Sequence, residues 1–115
     1  MNKVFFIGNL VKDAELKYTK NENVLLNLNI AVNHSYDDKA DFFFVKGFGK
    51  RWEKLSEYLT KGVKIAVEAH LQNNNFEDEE GYTEFRNDIV IDNIELLAKP
   101  QMTEEKPKYK KRKRA

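Results

Sequence analysis

The sequence predicts a small all-β barrel in which one short helix connects two of the strands. Segments rich in aromatic and β-branched residues recur along the chain, and such residues favour strands. Polar or glycine-containing turns separate these segments. A single stretch between two strands, residues 52–59, spaces its apolar residues as a helix does.

Five extended segments account for the barrel: residues 3–11, 24–32, 42–48, 63–71 and 85–97. The first is apolar on both faces, which predicts burial on both sides or contact with a partner subunit. Gly8 within it predicts a bulge or a close approach of another backbone. A shorter extended stretch follows at residues 13–18. In the third segment, strand alternation places Phe42 and Phe44 on one side and Phe43 on the other.

The helix is predicted from Trp52, Leu55 and Leu59, which fall at i, i+3 and i+7. Gly62 then lies where a C′ glycine ends a helix. This spacing predicts that Trp52, the only tryptophan, packs in the core. Before the helix, two glycines at positions 47 and 49 interrupt the strand pattern and permit a bend.

Residues 72–83, QNNNFEDEEGYT, predict a long polar hairpin with Gly81 in its turn. Phe76 has too few apolar neighbours in this stretch to be buried, and an exposed aromatic ring implies a partner. Five strands with one helix between strands 3 and 4 match the five-stranded OB-fold barrel, which commonly binds oligonucleotides. Periodicity alone leaves other small barrels open.

Charge divides the chain into a domain, residues 1–99, and a tail, residues 100–115. The domain has 13 Lys and Arg against 17 Asp and Glu, a net charge of −4, and the tail has 7 against 2, a net charge of +5. The tail has almost no apolar side chains, so we expect it to be disordered. It is either a solvated end or an arm that contacts phosphates through Lys108, Lys110, Lys111, Arg112, Lys113 and Arg114. Its pattern alone also fits a nuclear localisation signal.

The sequence offers little support for catalysis. It contains no cysteine, and its two histidines, His34 and His70, are not in a metal-ligand spacing. No nucleotide-binding glycine motif or nucleophile motif is present. The acidic run at residues 77–80 is typical of a solvated hairpin tip rather than a magnesium site. We therefore predict that the chain is not an enzyme and requires no cofactor or metal.

The chain also lacks the sequence signals of a membrane or secreted protein. No run approaches the ~18 apolar residues of a membrane span. The first residues are too quickly polar for a signal peptide. We therefore expect a cytoplasmic protein with no membrane partner.

Single-stranded nucleic acid is bound by aromatic stacking, at ~1–3 kcal/mol per base, together with cations that follow the backbone. Aromatic and basic residues both occur at positions of the strands, loops and hairpin that are predicted to be exposed. The candidate binding residues are Tyr36, Phe42, Phe48, Phe76, Lys46, Lys50, Arg51 and Lys54.

Several separate motifs resemble the bacterial and phage single-stranded DNA-binding (SSB) proteins. They are the opening MNKVFFIGNLVKDAELKYT, the strand from Asp41-Phe42 to Phe48-Gly49-Lys50, EYLTKG at 57–62, and VEAHL at 67–71 followed by Phe76-Glu77-Asp78. The resemblance covers residues 1 to about 98. It implies an OB fold and sequence-independent binding of single-stranded DNA in replication, recombination or repair, without catalysis. It also implies a homo-oligomer, a tetramer in preference to a dimer, with first strands pairing, and base platforms at Tyr36, Phe42, Phe48 and Phe76.

This chain departs from the family pattern in its charges. The family's hairpin usually begins with basic residues, where this chain has QNNN at 72–75. Because the domain is acidic as well, we expect weaker binding or a smaller salt dependence per subunit. Its basic end replaces an acidic tip that recruits replication and repair proteins in many bacterial members. A short member without that tip suggests a phage or mobile-element source. The alternatives left open are an OB-fold adaptor of primosome type, acting mainly through protein contacts, and an RNA-binding protein of cold-shock type.

Overall fold

The computed structural model describes residues 1–98 and contains eight strands and one helix within that range. The elements are β1 Val4–Leu10, β2 Glu15–Tyr18, β3 Val24–Asn33, β4 Ala40–Phe48, α1 Trp52–Ser56, β5 Lys64–Asn73, β6 Phe76–Glu77, β7 Thr83–Glu84 and β8 Asn87–Ala98. Five long strands correspond to the five predicted segments. The predicted short stretch at 13–18 forms β2, which pairs with β3.

The barrel closes because β1 pairs with β5 along most of its length and with β3 at its end. The strand order is β1-β5-β8-β4-β3, and the pairs Asn9↔Ala31 and Leu10↔Ile30 complete the circle. Neighbouring strands around the barrel are antiparallel, except for β4 and β8, which are parallel. A side chain at Gly8 would collide with the carbonyl oxygen of Ala31, which confirms the predicted close approach. The OB-fold prediction is confirmed.

Alternation along the strands fills the barrel with apolar side chains. In β3, Val24, Leu26, Leu28 and Ile30 point inward and are buried. The corresponding inward positions of β5 are occupied by Ile65, Val67 and Ala69, among the other buried residues. Every residue in this core is apolar, so the polar and aromatic residues on the outer face of the barrel do not contribute to it.

The helix is shorter than predicted. It ends at Ser56, and the chain continues through i→i+3 hydrogen bonds from Tyr58 N–H to Leu55 O and from Leu59 N–H to Ser56 O. These tighter turns keep Leu59 fully buried outside the helix. Gly62 has a φ of 92° in the turn before β5, so its prediction as the helix C′ residue is wrong.

The packing of Trp52, the first residue of the helix, explains why position 47 is occupied by glycine. Trp52 is 3% exposed, as predicted. A Cβ atom at Gly47 would lie 2.9 Å from its indole Nε1. Gly47 therefore leaves room for the indole while β4 continues to Phe48. The bend follows at Gly49, which has a φ of 115°.

The predicted hairpin protrudes from the β5–β8 pair and carries the short strands β6 and β7. Its tip is organised by Asp78, whose Oδ1 accepts hydrogen bonds from the N–H groups of Glu80 and Tyr82. Gly81 occupies the turn with a φ of 89°. No helix among residues 1–98 is long and apolar enough to cross a membrane.

Candidate nucleic-acid interface

The outer face of β4 presents three phenylalanine rings to solvent. Phe42, Phe44 and Phe48 are 61%, 72% and 54% exposed. Phe43 points the other way and packs against the core and the ring of Phe6, with 4.6 Å between ring centroids. The predicted division of Phe42 and Phe44 from Phe43 is therefore confirmed.

Polar residues interrupt this row and lie beside it. Lys46 is on the same face of β4, between Phe44 and Phe48. On β3, the cross-strand partners of these four residues are Ala31 opposite Phe42, Asn29 opposite Phe44, Asn27 opposite Lys46 and Leu25 opposite Phe48. We call these eight residues the aromatic face. It offers rings for stacking and amides for hydrogen bonding on one continuous surface.

Tyr36 lies in the loop between β3 and β4, held by its neighbour His34. The two rings stack with centroids 4.8 Å apart and an interplanar angle of 20°. His34 Nδ1 is 2.8 Å from Asp37 Oδ1, and its Nε2 is 3.0 Å from Asp41 Oδ1. The hydrogen bond with Asp41, followed by that with Asp37, raises the pKa of His34 above its ordinary 6.5, although desolvation opposes the shift. Tyr36 is itself exposed, so its ring is positioned but open to a ligand.

Phe76 is exposed on the hairpin, as predicted, but it is not isolated. The guanidinium carbon of Arg86 lies 4.6 Å from the centroid of its ring. Two more hairpin aromatics that the sequence reasoning did not select, Tyr82 and Phe85, are also exposed. The acidic residues 77–80 lie between Phe76 and Tyr82 in the chain, so the hairpin offers rings with little cationic charge.

The four predicted cations differ in the residues that their side chains contact. Lys46 Nζ is 3.3 Å from Asp88 Oδ2. Arg51 donates a 2.7 Å hydrogen bond to the carbonyl oxygen of Asp92 and covers the Trp52 ring at 4.2 Å. Lys50 and Lys54 are exposed and form no ion pair within residues 1–98.

The combination of exposed rings, amides and cations on one face of a barrel is suited to binding unpaired bases. A family model described as the single-strand binding protein family matches residues 1–97. The chain belongs to the single-strand binding protein family.

Curated relatives within this family are similar along most of this chain. The single-stranded DNA-binding protein of Clostridium perfringens is 32% identical over 99 residues, covering 84% of this chain and 66% of the relative. That of Oceanobacillus iheyensis is 32% identical over 102 residues, with 84% and 63% covered. That of Treponema pallidum is 36% identical over 103 residues, with 84% and 58% covered. The chain thus spans less than two thirds of the length of these relatives.

Besides Tyr82 and Phe85, the sequence reasoning missed three features of the candidate interface. They are Phe44, Arg86 and the amides of Asn27 and Asn29. Strand alternation was sufficient to select Phe44, since it shares a side with Phe42. The pairing of Arg86 with Phe76 depends on the hairpin register, which sequence spacing did not reveal.

The tail cations Lys108, Lys110, Lys111, Arg112, Lys113 and Arg114 lie outside the described residues. Within residues 1–98, no group of three or more His, Asp or Glu side chains is arranged to hold a metal ion.

Proposed function

We propose that the chain binds single-stranded DNA without sequence preference and protects it during replication, recombination or repair. The observation that carries this proposal is the row of three exposed rings on β4. The relatives named single-stranded DNA-binding proteins support it. Every base has a π-face, so stacking on rings tolerates any sequence.

Stacking also accounts for selectivity between single and double strands. In a duplex the bases are paired and stacked on each other, so flat rings on a protein surface cannot reach them without unpairing. The platforms predicted from the sequence are Tyr36, Phe42, Phe48 and Phe76, and the row on β4 adds Phe44. Because each buries substantial apolar area on contact with a base, they supply most of the binding free energy in a domain of net charge −4.

Phosphate neutralisation comes from cations beside the rings. We assign this role first to Lys50 and Lys54, which have no ion-pair partner among the described residues, and then to Lys46, which must share Asp88. Arg51 is held by Asp92 and Trp52, so its contribution to phosphate binding is smaller. Residues 100–115, with a net charge of +5, act as an electrostatic arm that adds phosphate contacts.

We infer that the protein works as a homo-oligomer, a tetramer in preference to a dimer. On β1, Phe5 and Ile7 are 72% and 58% exposed on the outer surface. Within the described chain, residues 4–8 pair with β5 on one side only, which leaves a strand edge open. An open edge beside exposed apolar side chains is a typical site of self-association.

The broader assignments follow from this role. Residues 1–99 form the DNA-binding domain and residues 100–115 the tail. The protein acts by binding, without catalysis, in the cytoplasm of a bacterial cell, where replication or recombination proteins also meet single strands.

The test is a titration of the intact chain into labelled oligo-dT and a labelled duplex of the same length, followed by fluorescence anisotropy at low and moderate salt. We expect tight binding to oligo-dT and weak binding to the duplex at both salt concentrations. Equal, weak binding to both, abolished by salt, would mean that only the basic tail acts. The adaptor function, which the acidic charge of the domain favours, would then replace this proposal.

A further inference from the structure

The loop between β3 and β4 presents the ring of Tyr36 with one face covered and the other open. The ring of His34 stacks on it, with 4.8 Å between centroids and an interplanar angle of 20°. The His34 side chain is only 15% exposed, whereas Tyr36 is 79% exposed. His34 therefore supports the tyrosine ring from one side, and the other face of that ring is accessible.

Both nitrogens of the His34 ring lie next to carboxylates. Nδ1 is 2.8 Å from Asp37 Oδ1, and Nε2 is 3.0 Å from Asp41 Oδ1. A neutral imidazole has one donor and one acceptor nitrogen, whereas both nitrogens of the protonated ring are donors. Because an ionised carboxylate only accepts, the neutral ring satisfies one of these two contacts and the protonated ring satisfies both.

The two carboxylates belong to different parts of the structure. Asp37 lies in the loop, where its Oδ1 also accepts a 2.8 Å hydrogen bond from the N–H of Lys39. Asp41 lies in β4 and is the cross-strand partner of Val32 in β3. The protonated His34 ring therefore connects the loop to the sheet, and the neutral ring loses one of the two connections.

Within residues 1–98, these carboxylates are the charged groups that contact the His34 ring. The other charged residues of the loop, Asp38 and Lys39, form no side-chain hydrogen bond or ion pair with it. The contact with Asp41, followed by that with Asp37, raises the pKa of His34 above 6.5, against the effect of desolvation. The ring therefore changes its charge close to neutral pH.

We propose that His34 is a positioning residue for Tyr36 that links single-stranded DNA binding to a proton: the protonated ring holds Tyr36 in place to stack on a base, and the neutral ring holds it less firmly. The inference rests on the proposed function, in which Tyr36 is a platform. Because the protonated form is the one that supports the platform, DNA affinity is highest at low pH. It falls as pH rises through the pKa of His34.

The second histidine of the chain provides a matched control. His70 lies in β5, and among the described residues only its Nδ1 has a carboxylate partner, 3.0 Å from each oxygen of Asp92. A neutral ring with its proton on Nδ1 satisfies this contact. The arrangement around His70 therefore does not require protonation.

The test measures the affinity of the full chain for labelled oligo-dT by anisotropy, between about pH 5.5 and about pH 8.5 at constant ionic strength. We expect affinity to fall roughly 2- to 10-fold across this range, the effect of the one hydrogen bond that the neutral ring lacks. His34→Gln should give a flat profile, and His70→Gln should keep the profile of the unsubstituted chain. A flat profile for the unsubstituted chain, or one that His34→Gln leaves unchanged, would overturn the proposal.

Variants of Tyr36 distinguish positioning from a direct effect of the imidazolium charge on phosphates. If His34 acts through Tyr36, Tyr36→Ala should weaken binding and abolish the pH dependence. Tyr36→Phe keeps a ring and should keep the profile. Full pH dependence in Tyr36→Ala would show that the charge acts directly, and would overturn the positioning role.

A spectroscopic measurement tests the same link from the other side. Coupling between two binding events is reciprocal, so saturating oligo-dT should raise the midpoint of the His34 ring titration measured by NMR. An unchanged midpoint would contradict the proposal. If Phe42→Ala weakens binding at every pH, the proposed function stands whatever the outcome for His34; if the unsubstituted chain does not bind oligo-dT at any pH, both proposals fail.

Discussion

Two strands of this barrel expose phenylalanine on their outer faces, β1 and β4, and the surroundings of the rings differ. On β4, Phe42, Phe44 and Phe48 are interrupted by Lys46 and face polar amides on β3. On β1, Phe5 and Ile7 line one groove together with Phe6, Ala66, Val67, Glu68, Asn93 and Glu95. The first surface alternates rings with polar groups, as a site for polar-edged ligands requires. The second combines apolar side chains with two carboxylates and an amide and adjoins an open strand edge, which is typical of a protein contact.

The backbone shows the same difference. β4 pairs with β3 along its whole length and also with β8, whereas residues 4–8 of β1 pair only with β5 in the described part of the chain. Beside the surface formed by Phe5 and Ile7, Lys3 forms two ion pairs. Its Nζ lies 2.8 Å from Glu68 Oε2 and 3.3 Å from Asp92 Oδ2. Exposed phenylalanine alone therefore does not identify a DNA-binding face. Whether the neighbouring backbone is paired, and which side chains lie beside the rings, distinguishes the face of β4 from the face of β1.

The largest expected effect is on assembly. Replacing Phe5 and Ile7 with Asp places two like charges on the proposed contact, so the protein should become monomeric. Mass measured by light scattering after size exclusion tests this. The matched control, Phe42→Ala with Phe48→Ala, should keep the mass of the unsubstituted chain. An unchanged mass for the Asp variant would show that β1 does not hold the oligomer.

The next effect is on DNA affinity. The double variant Phe42→Ala and Phe48→Ala removes two platforms, so the binding free energy should fall by about 2–6 kcal/mol. Anisotropy with labelled oligo-dT measures it. Both rings are exposed, so the thermal unfolding midpoint should change little. Unchanged affinity in a folded variant would remove β4 from the DNA-binding site.

Removing the tail should change salt dependence more than affinity at moderate salt. A chain ending at Lys99 lacks the tail's net charge of +5. For single strands the slope of log K against log salt is about −0.7 per neutralised phosphate. The slope should therefore become shallower by that amount for each phosphate that the tail neutralises in the intact chain. Identical slopes for the two chains would show that the tail does not contact phosphates.

The smallest effect concerns the loop between β3 and β4, in which His34 stacks on Tyr36. The raised pKa of His34 means that its protonated form is the one bound by Asp37 and Asp41. Its stabilisation of the loop is therefore complete below pH 6.5 and disappears as pH rises through the raised pKa. NMR titration of the His34 ring should give a midpoint above 6.5. His34→Gln should remove the pH dependence of the protection factors of the loop amides, which compare their exchange rates with those of an unfolded chain at the same pH. A midpoint at or below 6.5 would contradict the geometry.

Sequence patterns over a few residues were sufficient to predict much of this fold. Strand alternation separated Phe42 from Phe43, and helical spacing placed Trp52 in the core, because both depend on neighbours within a few residues. The helix end was mispredicted because i→i+3 turns maintain the burial of Leu59 without a helix.

Contacts between residues far apart in the chain could not be predicted from the spacing of residue types in the sequence. Arg51 reaches Asp92 across 41 positions, and Lys3 reaches Glu68 across 65. The binding role predicted for Arg51 did not take account of this partner, which only the register of the strands reveals.

The central claim is that bases stacked on the aromatic face hold the DNA, although the domain is acidic. The most direct measurement compares the affinity of the intact chain for oligo-dT and for an abasic strand of the same length and charge. We predict that the abasic strand binds at least roughly 100-fold more weakly, since several stacking contacts of ~1–3 kcal/mol are absent. Equal affinity for the two strands would show that phosphates alone are bound, and would contradict the role of the aromatic face.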